Sequence, residues 1–200
     1  VIFINNQLVR FGGDMSVGAF GIANRIVFIF VMFVMGINQG MQPIAGYNYG
    51  AQKLDRMMQV VKLSIIAATV IMIFGWFLAM LAPRQCVSLF TTDKHLIETT
   101  VHGMRIMMLM LPIVGYQMVI TNFFQCIGKV KISIFLSLSR QLLFLLPALA
   151  LLPIWFGLDG VWLAQPVSDF IASVVTAWIM IVYMHKFKLQ HKENQYGRQE

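Results

Sequence analysis

Between Arg25 and Lys53 the chain carries no charged side chain. The first part of this run, Ile26 to Met35, is wholly apolar. The second part, Gly36 to Ala51, reads Gly-Ile-Asn-Gln-Gly-Met-Gln-Pro-Ile-Ala-Gly-Tyr-Asn-Tyr-Gly-Ala. Gly36, Gly40, Gly46 and Gly50 recur among the amides Asn38, Gln39, Gln42 and Asn48. A helix of about 20 apolar residues crosses a bilayer, and this run is long enough. In hydrocarbon, glycines let helix backbones approach. A proline such as Pro43 is tolerated where neighbours satisfy the carbonyl it frees. Amides in such a segment must face protein or a wet cavity. The stretch is therefore either a seam between helices or part of a polar path.

The rest of the chain agrees with a bilayer as solvent. Of 200 residues, 58% are hydrophobic and only 12% charged, against about a quarter charged in ordinary globular domains. The expected fold is an all-α, polytopic helical bundle. Val1 to Val9 is too short to span and reads as the end of a truncated helix (residues 1–9), so the chain reads as a fragment. Arg10 to Asp14, with Gly12 and Gly13, forms a polar turn. Five full spans follow within residues 10–184: Val17 to Gln42, Leu63 to Ala82, Ile106 to Ile127, Ile132 to Ile154 and Val161 to Met184. Thr91-Thr92-Asp93 is the expected N-cap for a short helix over Lys94 to Thr100. The tail, residues 185–200, is polar and basic and reads as disordered after Lys192.

A formal charge of +7 would suggest nucleic acid in a soluble chain. Here the cations sit between apolar runs, so they report orientation instead. One set of loops carries Lys53, Arg56, Lys62, Lys129, Lys131, Lys186, Lys188, Lys192 and Arg198. The other carries Arg10, Arg84, Lys94 and Arg105, diluted by Asp14, Asp93, Glu98 and Asp159. The first set, with the C-terminus, is assigned to the cytoplasm.

Charges inside spans need a partner or a wet cavity. Arg25, Arg140 and Asp169 each lie roughly ten residues from a span end, about 15 Å deep at 1.5 Å per residue. Arg140 and Asp169 fall on consecutive antiparallel spans and are expected to form an intramembrane ion pair. That pair either locks two helices or rearranges during transport. Asn24, Asn38, Gln39, Gln117, Asn122, Gln125, Gln141 and Gln165 are the amides of the spans. Asn24, Arg25, Gln39, Gln117 and Asn122 are the expected cavity-lining residues. Fifteen Met and sixteen Phe suit adaptable surfaces, and equally suit lipid contact. There is no Gly-Lys-Ser/Thr loop and no His-Glu-x-x-His pair, and no catalytic constellation is visible. The reading is of a non-enzymatic protein with no metal site and no cofactor.

The stretch 36–51 resembles the inner end of the eighth helix of multidrug and toxic compound extrusion (MATE) transporters. Phe124 to Lys129 and Arg140-Gln141 are similar to that family's tenth-to-eleventh helix region. Pro147, Gly157 to Trp162 and Pro166 to Asp169 resemble its end. The resemblance implies one lobe of a two-lobed, twelve-helix transporter: the C-terminal lobe, from the end of helix seven onward, with the N-terminal lobe missing. It implies export of cationic or amphipathic drugs in exchange for Na⁺ or H⁺, by alternating access, in the bacterial inner (plasma) membrane. Some members carry a cation-binding carboxylate on helices seven and ten. The segment Ile106 to Ile127 has no acid, so the coupling ion is expected to bind in the missing lobe. The alternative is a lipid-linked oligosaccharide flippase or polysaccharide exporter of the same superfamily, which requires Arg25 and Arg140 unpaired in the cavity.

Overall fold

In a bilayer the side chains that face outward must be as apolar as those that face inward, so size rather than polarity sorts the faces of a helix. The computed structural model describes residues 2–196, with side chains described from residue 3 to residue 185. It is helical almost throughout. The helices are α1 (Ile2–Gly50), α2 (Leu54–Leu81), α3 (Pro83–Ser88), α4 (Lys94–Met107), α5 (Leu111–Cys126), α6 (Val130–Leu138), a π-helical segment (Ser139–Leu145) and α7 (Leu146–Tyr196).

The sorting by size is clearest on α2. Its buried residues are Met57, Val61, Ser64, Ala68, Met72, Gly75 and Ala79, a stripe at three- and four-residue spacing rich in small side chains. Leu63, Ile66, Val70, Phe74, Phe77 and Leu81 stand exposed on the opposite face. A water-soluble monomer does not expose so continuous an apolar surface; lipid covers it. Within the bundle, Gly115, Gly75 and Gly103 are among the sites of close approach. A β-carbon on Gly115 would lie 2.9 Å from the Ala68 carbonyl oxygen, and one on Gly75 would lie 2.8 Å from the Phe30 ring. A β-carbon on Gly103 would lie 2.2 Å from the buried Trp162 indole. Of the glycines in the 36–51 stretch, only Gly46 approaches another helix, at 3.5 Å from the Cys126 carbonyl; Gly36, Gly40 and Gly50 meet nothing within 4 Å. Helix α1 continues through Pro43.

Two of the long helices are interrupted by glycines whose backbone no other residue adopts easily. Gly13 has φ 70° and ψ −175°, and Gly157 has φ 58° and ψ −131°. The chain doubles back at each. Phe3, Ile4 and Asn5 line the same cavity as Gly21 and Asn24, and Gly160 lies against the Leu152 carbonyl. The two reversals meet at one end of the bundle, where Gly12 abuts Leu158 beside an apolar cluster of Leu8, Leu149, Val161 and Ala164.

Among the described residues, three helical segments are long and apolar enough to cross a membrane: Phe3–Gly50, Leu54–Leu81 and Val130–His185. The bent pair Lys94–Met107 and Leu111–Cys126 makes a fourth if taken as one span. Five separate spans were expected; the helical trace runs through both glycine reversals, so the segments merge. The expected third span, Ile106 to Ile127, is broken: Ile106 and Met107 end α4, and α5 starts at Leu111. Pro112 has no N–H to donate and sits in the first turn of a new helix, and α4 and α5 meet at 55°. Asp93 caps α4, its Oδ1 accepting from the His95 and Leu96 amides at 2.9 and 3.4 Å. That helix runs to Met107, seven residues beyond the expected end. The backbone of α7 is helical to Tyr196, where disorder was expected after Lys192; Lys, Glu and Gln are good helix formers and extend the apolar helix before them. Residues 197–200, with Arg198, lie outside the described residues, as do the side chains of Lys186, Lys188 and Lys192.

Gly103→Leu forces the added side chain into Trp162. It is expected to cost about 1–3 kcal/mol and to lower the melting temperature of the detergent-solubilised protein, whereas Gly36→Leu, in open space, leaves it within about a degree of the parent by the same measurement.

Candidate functional site

Side chains from both arms of α1, from α4, α5, the π-helix and α7 converge on a cavity of about 920 Å³. This lies in the size range of small-molecule sites. Most of the wall is apolar: Phe3, Phe20, Phe28, Met35, Met107 and Met118 are among its residues, with several leucines and valines. Its polar members are Asn5, Asn24, Arg140, Gln141, Gln165 and Asp169.

The local sequence explains how the polar group assembles. Pro147 has no N–H, and its ring crowds the carbonyl four residues earlier. Just before it the helix widens into the π-helical segment, whose longer hydrogen-bond spacing accommodates the misfit. Arg140 is the second residue of that segment. Ser168 of α7 reaches this segment as well: its Oγ donates to the Arg140 carbonyl oxygen at 2.8 Å. One residue further along α7, Asp169 accepts from Arg140 Nε, with Nε to Oδ1 at 2.7 Å. Gln165 and Asp169 are four apart on one helix face and reach the cavity together. The two charges are unequally shielded: the Asp169 side chain is 6% exposed and that of Arg140 is 27% exposed.

The other residues singled out in the sequence are distributed differently. Asn24 lines the cavity. Arg25 and Gln39 are exposed and absent from the cavity wall. Gln117 is buried, with its Oε1 unpartnered among the described residues. Asn122 accepts from Gln42 Nε2 at 3.0 Å, a bond that ties α5 to α1. Asn38 is buried on the same stripe of α1 as Val34, Met41 and Ala45. Its neighbours on the chain therefore face away from it, and Gln39 turns outward. The sequence reading did not place Asn5, Gln141 or Gln165 on the cavity, nor Ser168 against Arg140. A signal existed for two of them: Gln165 is one helical turn from Asp169, and Gln141 adjoins Arg140. Tyr116 also ties the bundle together, donating to the Ser173 carbonyl at 2.8 Å. At the end where the reversals meet, His102 Nε2 lies 2.8 Å from Asp159 Oδ1; both are exposed, and such a pair contributes little. The two cysteines, Cys86 and Cys126, are free. Among the described residues, no three His, Cys, Asp or Glu side chains come together as a metal site.

Comparison with known proteins completes the picture. The chain is 25% identical over 184 residues to "Multidrug export protein MepA" of Staphylococcus aureus (strain MSSA476), covering 92% of this chain and 40% of that protein. It is 26% identical over 167 residues to the protein of the same name from Staphylococcus haemolyticus (strain JCSC1435), covering 82% of this chain and 36% of that one. The chain thus spans about 40% of the length of these relatives. It superposes on the MATE multidrug transporter DinF-BH, solved as a complex with a bound compound, with a TM-score of 0.77 at 41% identity, over 89% of this chain and 40% of that one. An outward-facing multidrug resistance MATE transporter of the MOP superfamily shares the fold, with a TM-score of 0.85 at 22% identity over 94% of this chain and 42% of that one. The family model described as MatE matches residues 2–149. With lipid-facing helices packed around an apolar cavity, this chain is a multi-pass membrane protein that belongs to the MatE family.

Proposed function

We propose that this chain is the C-terminal lobe of a twelve-helix exporter of cationic or amphipathic compounds, driven by exchange for Na⁺ or H⁺. The observation that carries this reading is the cavity of about 920 Å³ with its Phe and Met wall and one charge pair. Such walls adapt to varied apolar ligands. Family membership and the similarity to multidrug exporters support it further. Split at Gly13 and Gly157, and with α4 and α5 taken together, the helices supply five full crossings and a partial one over residues 2–12. That fits one six-helix lobe, with the N-terminal lobe on a segment outside this sequence. Alternating access is then the rocking of this lobe against the other. The loop cations favour a cytoplasmic C-terminus, and the bacterial relatives favour the inner (plasma) membrane of a bacterial cell. The family is one of transporters, so the role is transport rather than catalysis. The coupling ion binds in the other lobe, and no cofactor is required.

The Arg140–Asp169 bond and the Ser168 bond hold the π-helix on α7, so the lobe moves as a unit. The flippase alternative asks for Arg25 and Arg140 unpaired in the cavity; Arg25 is outside its wall and Arg140 is bonded to Asp169.

In cells expressing the full-length transporter, ethidium accumulation is expected to fall several-fold and to recover when the Na⁺ or H⁺ gradient is collapsed; accumulation that ignores both gradients would sink the exporter reading. Asp169→Asn leaves the Arg140 charge without its counter-ion. Melting in detergent should register a loss of about 2 kcal/mol, below the fully buried range because the guanidinium opens onto the cavity. The double variant R140Q/D169N, which removes both charges, is expected to lose less than the single one.

A further inference from the structure

The cavity wall contains one cation and one acid, and the ligand does not meet them equally. Asp169 is nearly sealed, at 6% exposure, and its Oδ1 is occupied by Arg140 Nε. Arg140 lines the cavity at 27% exposure. Its only side-chain hydrogen bond among the described residues is through Nε, so the Nη1 and Nη2 groups make none. The backbone of the same residue is pinned by Ser168. The guanidinium is therefore fixed at its base and along one edge, on a residue that lines the cavity.

From this geometry we infer that Arg140 is a specificity-determining residue that receives a carboxylate on the transported compound. A guanidinium presents a planar set of donors that matches the two oxygens of a carboxylate. Prior fixation removes much of the ordering cost that binding otherwise carries. The number of charges sets the kind of anion. Asp169 already offsets Arg140, and among the described residues no second cation lines the wall. A single carboxylate can share the guanidinium when the same ligand carries a cation that balances it, while a pyrophosphate would lack partners for most of its charge. Asn24, Gln141 and Gln165 can donate to the same oxygens from neighbouring positions. The aromatic and Met wall takes the apolar body. The preferred ligand is thus an amphipathic zwitterion with a single carboxylate.

This inference rests on the exporter reading, and a matched pair of dyes separates the two. Rhodamine 19 has a free carboxylate; rhodamine 6G is its ethyl ester. Fluorescence polarisation on the purified full-length transporter gives a Kd for each. The wild type should bind rhodamine 19 several-fold more tightly than the ester. Arg140→Gln should bring the ratio of affinities to about one, a loss of about tenfold in rhodamine 19 affinity, with ester binding kept within about threefold. Because the ratio is taken within one preparation, a general loss of folded protein cancels. If Arg140→Gln does not insert, Arg140→Lys decides. Lysine keeps the charge but not the fork, and the ratio should fall several-fold. Ester binding with no preference for the acid in the wild type would overturn this inference alone, as would a ratio unchanged by both variants. Failure of the wild type to bind either dye would count against the exporter reading and this inference together.

Discussion

In hydrocarbon every main-chain N–H and C=O must find its partner within the protein, and that constraint decides where this chain can bend. Most residues meet it by staying in a helix. The departures are few and each is locally compensated. Gly13 and Gly157 turn the chain at one end of the bundle, where their positive φ is tolerable only without a β-carbon. Pro112 opens α5 at a position where a missing N–H costs nothing. The π-helix ahead of Pro147 is the departure with chemical consequences, because it lies deep in its segment and Ser168 of the neighbouring helix bonds its Arg140 carbonyl.

That compensation also builds the site. Ser168 and Asp169 are adjacent on α7, one bonding the backbone of Arg140 and the other its side chain. A helix distortion, a hydroxyl and an ion pair are thus one construction. It places a guanidinium on the wall of a mainly apolar cavity with its charge offset yet its outer edge available. Bulk electrostatics would describe the wall as neutral; accessibility makes it asymmetric, because the acid is buried and the base is not.

Some of this was legible in the residues. The bilayer class follows from the apolar runs and scarce charges. The reversals were visible as Gly12-Gly13 and Gly157 to Gly160, and the cap at Asp93 as a polar residue before a helical pattern. Arg140 and Asp169 stood out because intramembrane charges are costly alone. The glycine-rich stretch 36–51 drew attention for its composition, yet the tightest contacts are made elsewhere, by Gly12, Gly75, Gly103, Gly115 and Gly160. A glycine matters only when another helix faces it, and lateral neighbours are not encoded by spacing along one chain. Arg25 shows the same limit. It has the depth of Arg140 by sequence position, but its azimuth on α1 turns it away from the cavity.

Sequence alone therefore determined the solvent, the helical class and the turning points. These are properties of a residue and its immediate neighbours, set by transfer energies and backbone sterics. Tertiary structure decided which face of each helix is inside, where the cavity opens, and that Arg140 meets Asp169 through Nε while its remaining donors stay available. Those depend on the rotation of helices about their own axes. In a chain whose lipid-facing and core-facing residues are equally apolar, only the packing of one helix against the next fixes that rotation.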